Sequence, residues 1–179
     1  MPRPLAVGRR AVLVRPRPDD EAEFLARVAA SRQLHTPWVN PPAHPEAFRA
    51  YLRRLRRHDH TGFLVRDRER DGLAGVINVG NIVLGSFRSA YLGYYAFVPL
   101  AGRGYMTEGL VLTVDYAFAA LGLHRVEANV QPANTRSLAL VKRLGFQLEG
   151  LSPRYLMIGG EWRDHERWAV TIEDWDPPR

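Results

Sequence analysis

The sequence predicts an α/β fold: a mixed, mostly antiparallel sheet of seven strands with four helices on its faces. Two observations carry this prediction. Runs typical of β-strands and stretches with helical apolar spacing follow one another in the order βααβββαβαββ. The chain has 179 residues and 46% of them are hydrophobic, which suits one domain with a sizeable core.

The first half of the chain predicts one strand, two helices and then three strands. Strand 11–15 ends at Pro16; acidic residues that favour a helix start follow it, and then an apolar stripe up to Leu34. The proline-rich stretch 35–45 is typical of a loop, and the apolar spacing of 48–55 indicates the second helix. The three following strands are expected at 62–66, 73–84 and 90–98.

The second half alternates helices with strands and closes on a hairpin. Apolar spacing predicts a helix over 104–121, a strand over 124–131 and a helix over 134–144. The pair Gly159-Gly160 between two strand-like runs is a strong hairpin signal. The last two strands are therefore expected near 146–158 and 161–172.

Composition and charge exclude several classes of function. There is no cysteine, which excludes disulfides, thiolate metal sites and a cysteine nucleophile. The N-terminal apolar run is too short for a signal peptide and no later stretch can span a bilayer, so we expect a cytoplasmic protein with no membrane partner. The net charge is +6 and Lys142 is the only lysine. A basic surface attracts nucleic acid or a phosphate-rich cofactor, although a plain preference for arginine also explains this composition.

The segment from Gly102 to Glu108 has the features of a phosphate cradle. Glycines at a strand-to-helix junction let backbone N–H groups approach a ligand, and the helix N-terminus adds a positive dipole end. The segment is not a Walker A loop, which needs Gly-Lys-Ser/Thr, nor a dinucleotide loop, which needs glycine where Thr107 stands. An ordinary glycine-rich turn is the alternative interpretation of this segment taken alone.

A second segment, HRVEANVQPANTRSLALVKRLGF, joins a polar-faced strand to a capped helix. Asn134 stands where a helix N-cap belongs, and Ser137 lies one turn inside the helix on the same face. Glu127 and Asn129 share one face of the strand, while the residues between them are apolar. A polar face on an interior strand indicates a cleft.

The co-occurrence of GRGYMTEGL with PANTRSLALVKRLGF resembles the GNAT acyltransferase superfamily, and within it the RimJ/RimL type of ribosomal-protein N-terminal acetyltransferase. HRVEANV, LGFQLEG, RYLMIGGEWRDH and TPWV support this resemblance over nearly the whole chain. It implies a single N-acetyltransferase domain over 9–176 with a GNAT fold, in which acetyl-CoA lies between two splayed central strands. The residues it implies for binding acetyl-CoA are Phe97, Val98, Gly102, Arg103, Gly104, Tyr105, Met106, Thr107, Asn134, Ser137 and Lys142.

The resemblance also implies how acetyl-CoA is held. Its pyrophosphate would contact the N–H groups from Arg103 to Thr107, and Phe97 and Val98 would pair with the pantetheine through their backbones. An N–H near Val98 would then also serve the oxyanion that forms at the thioester. Side-chain contacts to phosphate are reduced, because alanine stands at position 101 where the superfamily usually has Gln or Arg.

Catalytic residues follow partly from the resemblance and partly from the strand pattern. Ser137 matches the serine that RimL-like enzymes are thought to use as a donor to the leaving thiolate. Many GNAT enzymes use a tyrosine as the general acid, and the matching position in this chain is Val141. RimL-like enzymes have a carboxylate at the position just before the one that matches Tyr155. In this chain Arg154 stands there, so the identity of the general base stays open. Glu127 and Asp164 are the candidates; strict alternation places Asp164 on an apolar face, where desolvation would raise its pKa. A structural hydrogen-bonding role, or an ion pair with a neighbouring arginine, is the alternative for both.

Trp38, Tyr155 and Asn129 are the candidate residues for the acceptor. Trp38 stands in a proline-rich loop, where binding residues often occur, although anchoring the loop is an equal alternative. The triplet His58-Asp59-His60 lacks further paired ligands, so no metal site is predicted.

Three functions are compatible with these features. The first is transfer of an acetyl group from acetyl-CoA to the N-terminal α-amine of a protein, with ribosome association and a homodimer as further expectations. The second keeps the chemistry but uses a small amine, a polyamine or an antibiotic as the acceptor. The third is a noncatalytic RNA- or ribosome-binding module. An acidic lining near Trp38 would favour a polycation, and only Glu46 is close in sequence, which favours a peptide.

Overall fold

One sheet of eight strands runs through residues 3–177, the part of the chain that the computed structural model describes. The strands are β1 (Ala6–Val7), β2 (Ala11–Val14), β3 (His60–Asp67), β4 (Leu73–Val83), β5 (Ser89–Ala96), β6 (Arg125–Val130), β7 (Gln147–Ile158) and β8 (Glu161–Thr171). Their order across the sheet is β1-β2-β3-β4-β5-β6-β8-β7. Neighbouring strands are antiparallel except β5 and β6, which are parallel.

Five α-helices within the same residues flank this sheet, and none of them is long and apolar enough to cross a membrane. They are α1 (Glu21–Ala30), α2 (Arg32–His35), α3 (Pro45–Arg54), α4 (Tyr105–Ala119) and α5 (Thr135–Arg143). The α/β class and the mixed, mostly antiparallel sheet are confirmed. The predicted numbers of strands and helices are each one too low. Strand β1 has only two residues, too few for alternation to appear, and α2 is a single turn that Ser31 separates from α1.

Two hydrophobic clusters hold the helices against opposite faces of the sheet. Helices α4 and α5 pack on one face, where Val114 is fully buried, and α1 and α3 pack on the other, where Phe24 is fully buried. The alternation of strand side chains produces this division, since Leu13 of β2 faces the first cluster and its neighbour Val12 faces the second. The predicted apolar faces of these helices are thus the ones that are buried.

The parallel strands β5 and β6 separate halfway along their length. Their register runs from Ser89 opposite Arg125 to Leu92 opposite Ala128 and then stops, although both strands continue. The backbone groups of the second half of β5 that face β6 therefore have no strand partner. This splay agrees with the predicted splayed central strands and opens a cleft in the middle of the sheet.

Helix α4 lies close to the sheet at Gly109, which sets the position of the helix N-terminus. A Cβ added to Gly109 would lie 2.9 Å from Val65 Cγ2 and 3.2 Å from Ile77 Cδ1. We expect Gly109→Val to lower the free energy of unfolding by about 1–3 kcal/mol, because a well-packed core does not accept added carbons without strain. Ala119→Val, at an exposed position of the same helix, is the matched control and should change stability by about 0.5 kcal/mol or less. Equal losses for the two variants in urea unfolding would contradict the close contact.

Candidate functional site

A cavity of about 510 Å³ opens where β5 and β6 separate. Its walls come from these two strands, from the N-terminus of α5, from the loop after α2 and from the hairpin of β7 and β8. The lining residues that matter below are Trp38, Arg54, Tyr91, Tyr94, Asn129 and Ser137.

The structure brings five of the predicted site residues to this one cavity, although they are far apart in sequence. These residues are Trp38, Asn129, Asn134, Ser137 and Tyr155. The loop that carries Trp38 is tied to the end of β6, because the Trp38 carbonyl accepts a hydrogen bond from Gln131 Nε2 at 3.3 Å. The loop, the strand and the hairpin thus form one continuous wall.

Helix α5 begins at the cavity with the predicted cap. Asn134 Oδ1 accepts a hydrogen bond from the backbone N–H of Ser137 at 3.2 Å, the bond expected of an N-cap. The Ser137 Oγ lies 2.7 Å from the Tyr94 hydroxyl, so its side chain bonds across the cavity to β5. Burial raises the pKa of Tyr94 to about 12, although the bond to Ser137 opposes this shift. Tyr94 is therefore a neutral phenol at physiological pH.

The predicted phosphate cradle forms the start of α4. Gly102 and Gly104 have φ angles of 77° and 88°, which L-amino acids with side chains rarely adopt. Gly104 is the N-cap, so the N–H groups from Tyr105 to Thr107 open the first turn and have no acceptor within the helix. The N–H of Arg103 already reaches the Leu100 carbonyl at 3.4 Å. The anion-binding capacity of this segment consequently lies in the first turn of α4.

Two side chains of the cradle, those of Tyr105 and Glu108, bond to other parts of the protein. Tyr105 is buried and donates to Asp67 Oδ2 at 2.6 Å, and the Glu108 carboxylate accepts from the Arg10 N–H at 2.9 Å. The cradle thus offers mainly backbone donors, as the alanine at position 101 indicates.

The two basic residues predicted for the cofactor, Arg103 and Lys142, are both exposed. The Lys142 ammonium lies 5.3 Å from the centre of the Trp168 ring.

The N–H groups of Phe97 and Val98, which are predicted to pair with pantetheine, have hydrogen-bond partners inside the protein. The Phe97 N–H donates to the Ala74 carbonyl at 2.8 Å, and the Val98 N–H donates to Ser31 Oγ at 3.0 Å. In an antiparallel ladder, alternate residues turn their backbone groups to opposite sides. Since Phe97 faces β4, the groups that face the splay belong to Tyr94 and Ala96. The Ala96 carbonyl already accepts from His35, so the Ala96 N–H and the backbone groups of Tyr94 are the ones that face the cleft.

His35 holds the strand end beside the splay. It is buried, its Nε2 donates to the Ala96 carbonyl at 2.8 Å, and its ring packs edge-on against Tyr95 and Phe97. Burial lowers the pKa of His35, because the charged imidazolium is poorly solvated there. The backbone of β5 at the splay is therefore supported by a neutral histidine.

The lowered pKa of His35 predicts a loss of stability in mild acid. The unfolded state takes up a proton near pH ~6.5 while the folded state resists it, so stability is full above this pH and falls below it. Burial lowers the pKa of His165 as well, so His165 also contributes to the loss of stability as the pH falls. In urea unfolding at several pH values, His35→Gln should reduce the acid-dependent loss, whereas His58→Gln, at an exposed site, should leave it unchanged. The same loss in His35→Gln as in the unmodified protein would contradict this account.

The two base candidates have different surroundings. Glu127 is buried and its Oε2 accepts from Arg125 Nη2 at 2.8 Å, while Oε1 has no hydrogen-bond partner among the described residues. Glu127 is not in the cavity lining, but Tyr91, its partner in the register of β5 and β6, is. A base role for Glu127 therefore needs a bridging water or the Tyr91 hydroxyl.

The prediction that Asp164 lies on a buried apolar face is wrong. Asp164 is exposed, and its Oδ1 accepts from the Arg154 backbone N–H at 2.7 Å. The register of β7 and β8 is interrupted between the pairs Ser152–His165 and Leu156–Arg163, so strict alternation does not hold there. Asp164 fits the alternative role, a structural hydrogen bond that holds the strand irregularity.

The described lining of the cavity contains no carboxylate side chain. Among the described residues that line it there is no aspartate or glutamate, and the Arg and His side chains of the lining are Arg54, His60 and His165. The remaining polar groups are mostly amides and tyrosines, and Asn129 Oδ1 is a buried acceptor with no partner in the described chain. Residues 3–177 contain no group of three or more His, Cys, Asp or Glu that could hold a metal ion.

Sequence reasoning missed the tyrosines of β5. The Tyr94 hydroxyl bonds to Ser137. The Tyr155 hydroxyl donates to the Tyr91 hydroxyl, with 3.5 Å between the two oxygens. This contact, more than burial, raises the pKa of Tyr155 to about 12. In the sequence these tyrosines resemble ordinary strand residues, and only their position just before the glycine segment distinguishes them.

Comparison with known proteins agrees with this geometry. Residues 10–147 match the family model of the acetyltransferase (GNAT) domain. The chain is 37% identical over 159 residues to the [ribosomal protein uS5]-alanine N-acetyltransferase of Escherichia coli (strain K12), covering 84% of this chain and 82% of that protein. It is 22% identical to the spermidine N(1)-acetyltransferase of the same organism, covering 89% and 86%.

A solved structure has the same fold and carries a ligand. Mycobacterium smegmatis RimJ, in complex with CoA-disulfide, superposes with a TM-score of 0.82 at 33% identity, covering 91% of this chain and 82% of that one. The family match spans most of the chain. The chain belongs to the GNAT acetyltransferase family and uses acetyl-CoA as co-substrate to acetylate an amine.

Proposed function

We propose that the acceptor is the N-terminal α-amine of a protein, of the ribosomal-protein type. The observation that carries this proposal is the absence of carboxylates from the described lining of the cavity. A polyamine brings several ammonium groups, and burying them without carboxylate partners is costly. A peptide N-terminus brings one amine followed by backbone N–H and C=O groups, which amide side chains can satisfy.

Asn129 supports the same choice. Its Oδ1 is a buried acceptor without a partner in the described residues, and it lines the cavity beside the splay. A single amine can donate to this oxygen. The relative that acts on a ribosomal protein is also more similar in sequence than the spermidine enzyme.

Catalysis in this cavity depends chiefly on alignment of the amine with the thioester carbonyl. The amine nitrogen forms a bond to the carbonyl carbon, and the resulting oxyanion accepts from a backbone N–H of Tyr94 or Ala96 at the splay. The C–S bond then breaks and sulfur leaves with its electron pair. Ser137 lines the cavity and can donate a hydrogen bond to that sulfur.

An α-amine needs only modest help to lose its proton. Its pKa is about 8, well below that of a lysine or polyamine amine, so a large fraction is neutral near physiological pH. Glu127, acting through Tyr91 or a water, is our candidate for the remaining help. Asp164 is not proposed for this role because its carboxylate bonds to Arg154 at an exposed position.

The acceptor is tested by a direct comparison of substrates. Purified protein and acetyl-CoA are incubated with peptides that have a free N-terminal alanine, with the same peptides blocked at the N-terminus, and with spermidine. We expect release of CoA thiol with the free peptides and little with the other two. Preferred turnover of spermidine would contradict the proposal.

Two further parts of the proposal concern the cell. The exposed arginines at the end of α3 and just after it, Arg53, Arg54, Arg56 and Arg57, support ribosome association, because they form a basic surface next to the cavity wall that Arg54 supplies. Exposed apolar side chains on the edge strand β7, such as Leu148 and Leu151, support a homodimer. Such a protein would act in the cytoplasm as a single acetyltransferase domain over 9–176. Salt-sensitive co-sedimentation with ribosomes and sedimentation equilibrium test these two expectations.

A further inference from the structure

The hydroxyls of Tyr94 and Ser137 form a pair that spans the cavity from β5 to α5. The two oxygens are 2.7 Å apart, and both residues line the cavity. Tyr94 is fixed by its register opposite Ile77 in the sheet, and Ser137 by the bond of its N–H to the Asn134 cap. Secondary structure therefore holds each partner independently, so the hydrogen bond joins two prepositioned groups.

The chemistry of the two hydroxyls determines the direction of this bond. A phenol is a stronger acid than an aliphatic alcohol, so it is the better donor and the poorer acceptor. Burial raises the pKa of Tyr94 to about 12, so the phenol carries its proton at neutral pH. A serine hydroxyl has one proton and two lone pairs. A serine that accepts from Tyr94 therefore still has its own proton to donate.

The Ser137 proton has no competing acceptor in the described part of the chain. A helical serine often donates back to the carbonyl one turn earlier. Within residues 3–177, Tyr94 is the one hydrogen-bond partner of Ser137 Oγ. The open direction for the Ser137 O–H is thus the cavity that both residues line.

We propose that Tyr94 donates to Ser137 Oγ and thereby directs the Ser137 O–H to the sulfur of the CoA leaving group. Tyr94 is a positioning residue, since it acts through Ser137. When the C–S bond breaks, the electron pair stays on sulfur as a thiolate, which accepts the Ser137 hydrogen bond. A thiol with a pKa of ~8.5 is a stronger acid than either hydroxyl, so both hydroxyls keep their protons. The proton of the attacking amine leaves separately, by the route through Glu127 proposed above.

The thiol pKa of CoA bound to the enzyme tests this inference without an acceptor. It is measured from the ultraviolet absorbance of the thiolate as pH is raised, with the complex of desulfo-CoA as the blank. Ser137→Ala should raise this thiol pKa by about two units, because a hydrogen bond to the charged sulfur is lost. Tyr94→Phe should raise it by most of that amount, and the double variant by no more than Ser137→Ala alone. Tyr95→Phe removes a hydroxyl of the same lining that has no hydrogen-bond partner among the described residues, and it should leave the thiol pKa unchanged.

Two results would overturn the inference. A thiol pKa in Tyr94→Phe equal to that of the unmodified protein, with a raised value in Ser137→Ala, would show that Tyr94 does not direct the serine. An unchanged value in Ser137→Ala would show that the serine does not face the sulfur. The affinity for CoA, measured on the same samples, verifies that each variant is folded. The inference rests on the proposed role of Ser137, but the measurement is independent of the acceptor, so a wrong acceptor would leave its outcome intact.

Discussion

Replacing Gly104 by valine is expected to weaken CoA binding about tenfold to hundredfold. Gly104 is the N-cap of α4 with a φ angle of 88°, where a β-branched residue is a genuine outlier. To relieve this strain the junction must change its backbone, and the N–H groups of the first turn then no longer converge on the pyrophosphate that we propose they bind. Each hydrogen bond to a charged group contributes about 1.5–3 kcal/mol, so losing one is sufficient for this effect. Isothermal titration calorimetry with CoA measures it.

Two controls separate the cradle from general strain. Gly85→Val introduces a side chain at a φ angle of 71° in the turn between β4 and β5, where an added Cβ meets nothing within 4 Å. This variant should carry the backbone strain but bind CoA normally. Acetyl-pantetheine lacks the pyrophosphate, so Gly104→Val should use this donor as well as the unmodified protein does. A large loss with acetyl-pantetheine would contradict the assignment of the pyrophosphate to this segment.

Ser137→Ala is expected to lower kcat about 100-fold, with little change in KM for acetyl-CoA. Removing one donor that acts on charge developing in the transition state typically costs about 10²–10³ in kcat. A thiolate is a fair leaving group by itself, which puts the expected loss at the lower end of this range. Steady-state kinetics with a peptide acceptor gives both constants.

Thr135→Ala is the matched control for the serine. Thr135 is the exposed first residue of the same helix, so the variant also removes a hydroxyl near the helix start. Its kcat should stay within about twofold of the unmodified value, since surface changes of this kind have small effects. A kcat for Ser137→Ala within the same range would contradict a role for Ser137 in the chemical step.

Local features of the site could be predicted from the sequence, because each depends on residues that are close together in the chain. The Asn134 cap, the left-handed glycines of the cradle and the polar face of β6 follow from residue types at fixed spacing. The helix and strand order follows from apolar periodicity in the same way. Bringing Trp38, Ser137 and Tyr155 to one cavity required the family resemblance, since no local pattern relates them.

Register and long-range pairing account for what the sequence did not predict. Phe97 and Val98 are predicted to pair with pantetheine, but the N–H of Phe97 bonds to Ala74 in the neighbouring strand and that of Val98 bonds to the Ser31 side chain. Local sequence indicates neither of these long-range partners. Asp164 was placed by strict alternation, which the interrupted register of β7 and β8 breaks. The bond between Tyr94 and Ser137 joins residues 43 positions apart, and a strand tyrosine carries no mark of such a partner.

Mass spectrometry of intact ribosomal proteins tests the central claim most directly. Proteins are compared from cells that carry this chain, cells that lack it and cells that carry only its Ser137→Ala variant. The account predicts that one protein N-terminus loses its acetyl group when the chain is absent, and that the variant restores that group slowly or incompletely. Unchanged N-termini in all three, with a loss of acetylated polyamine in the cells without the chain, would contradict the claim that this cavity receives a protein α-amine.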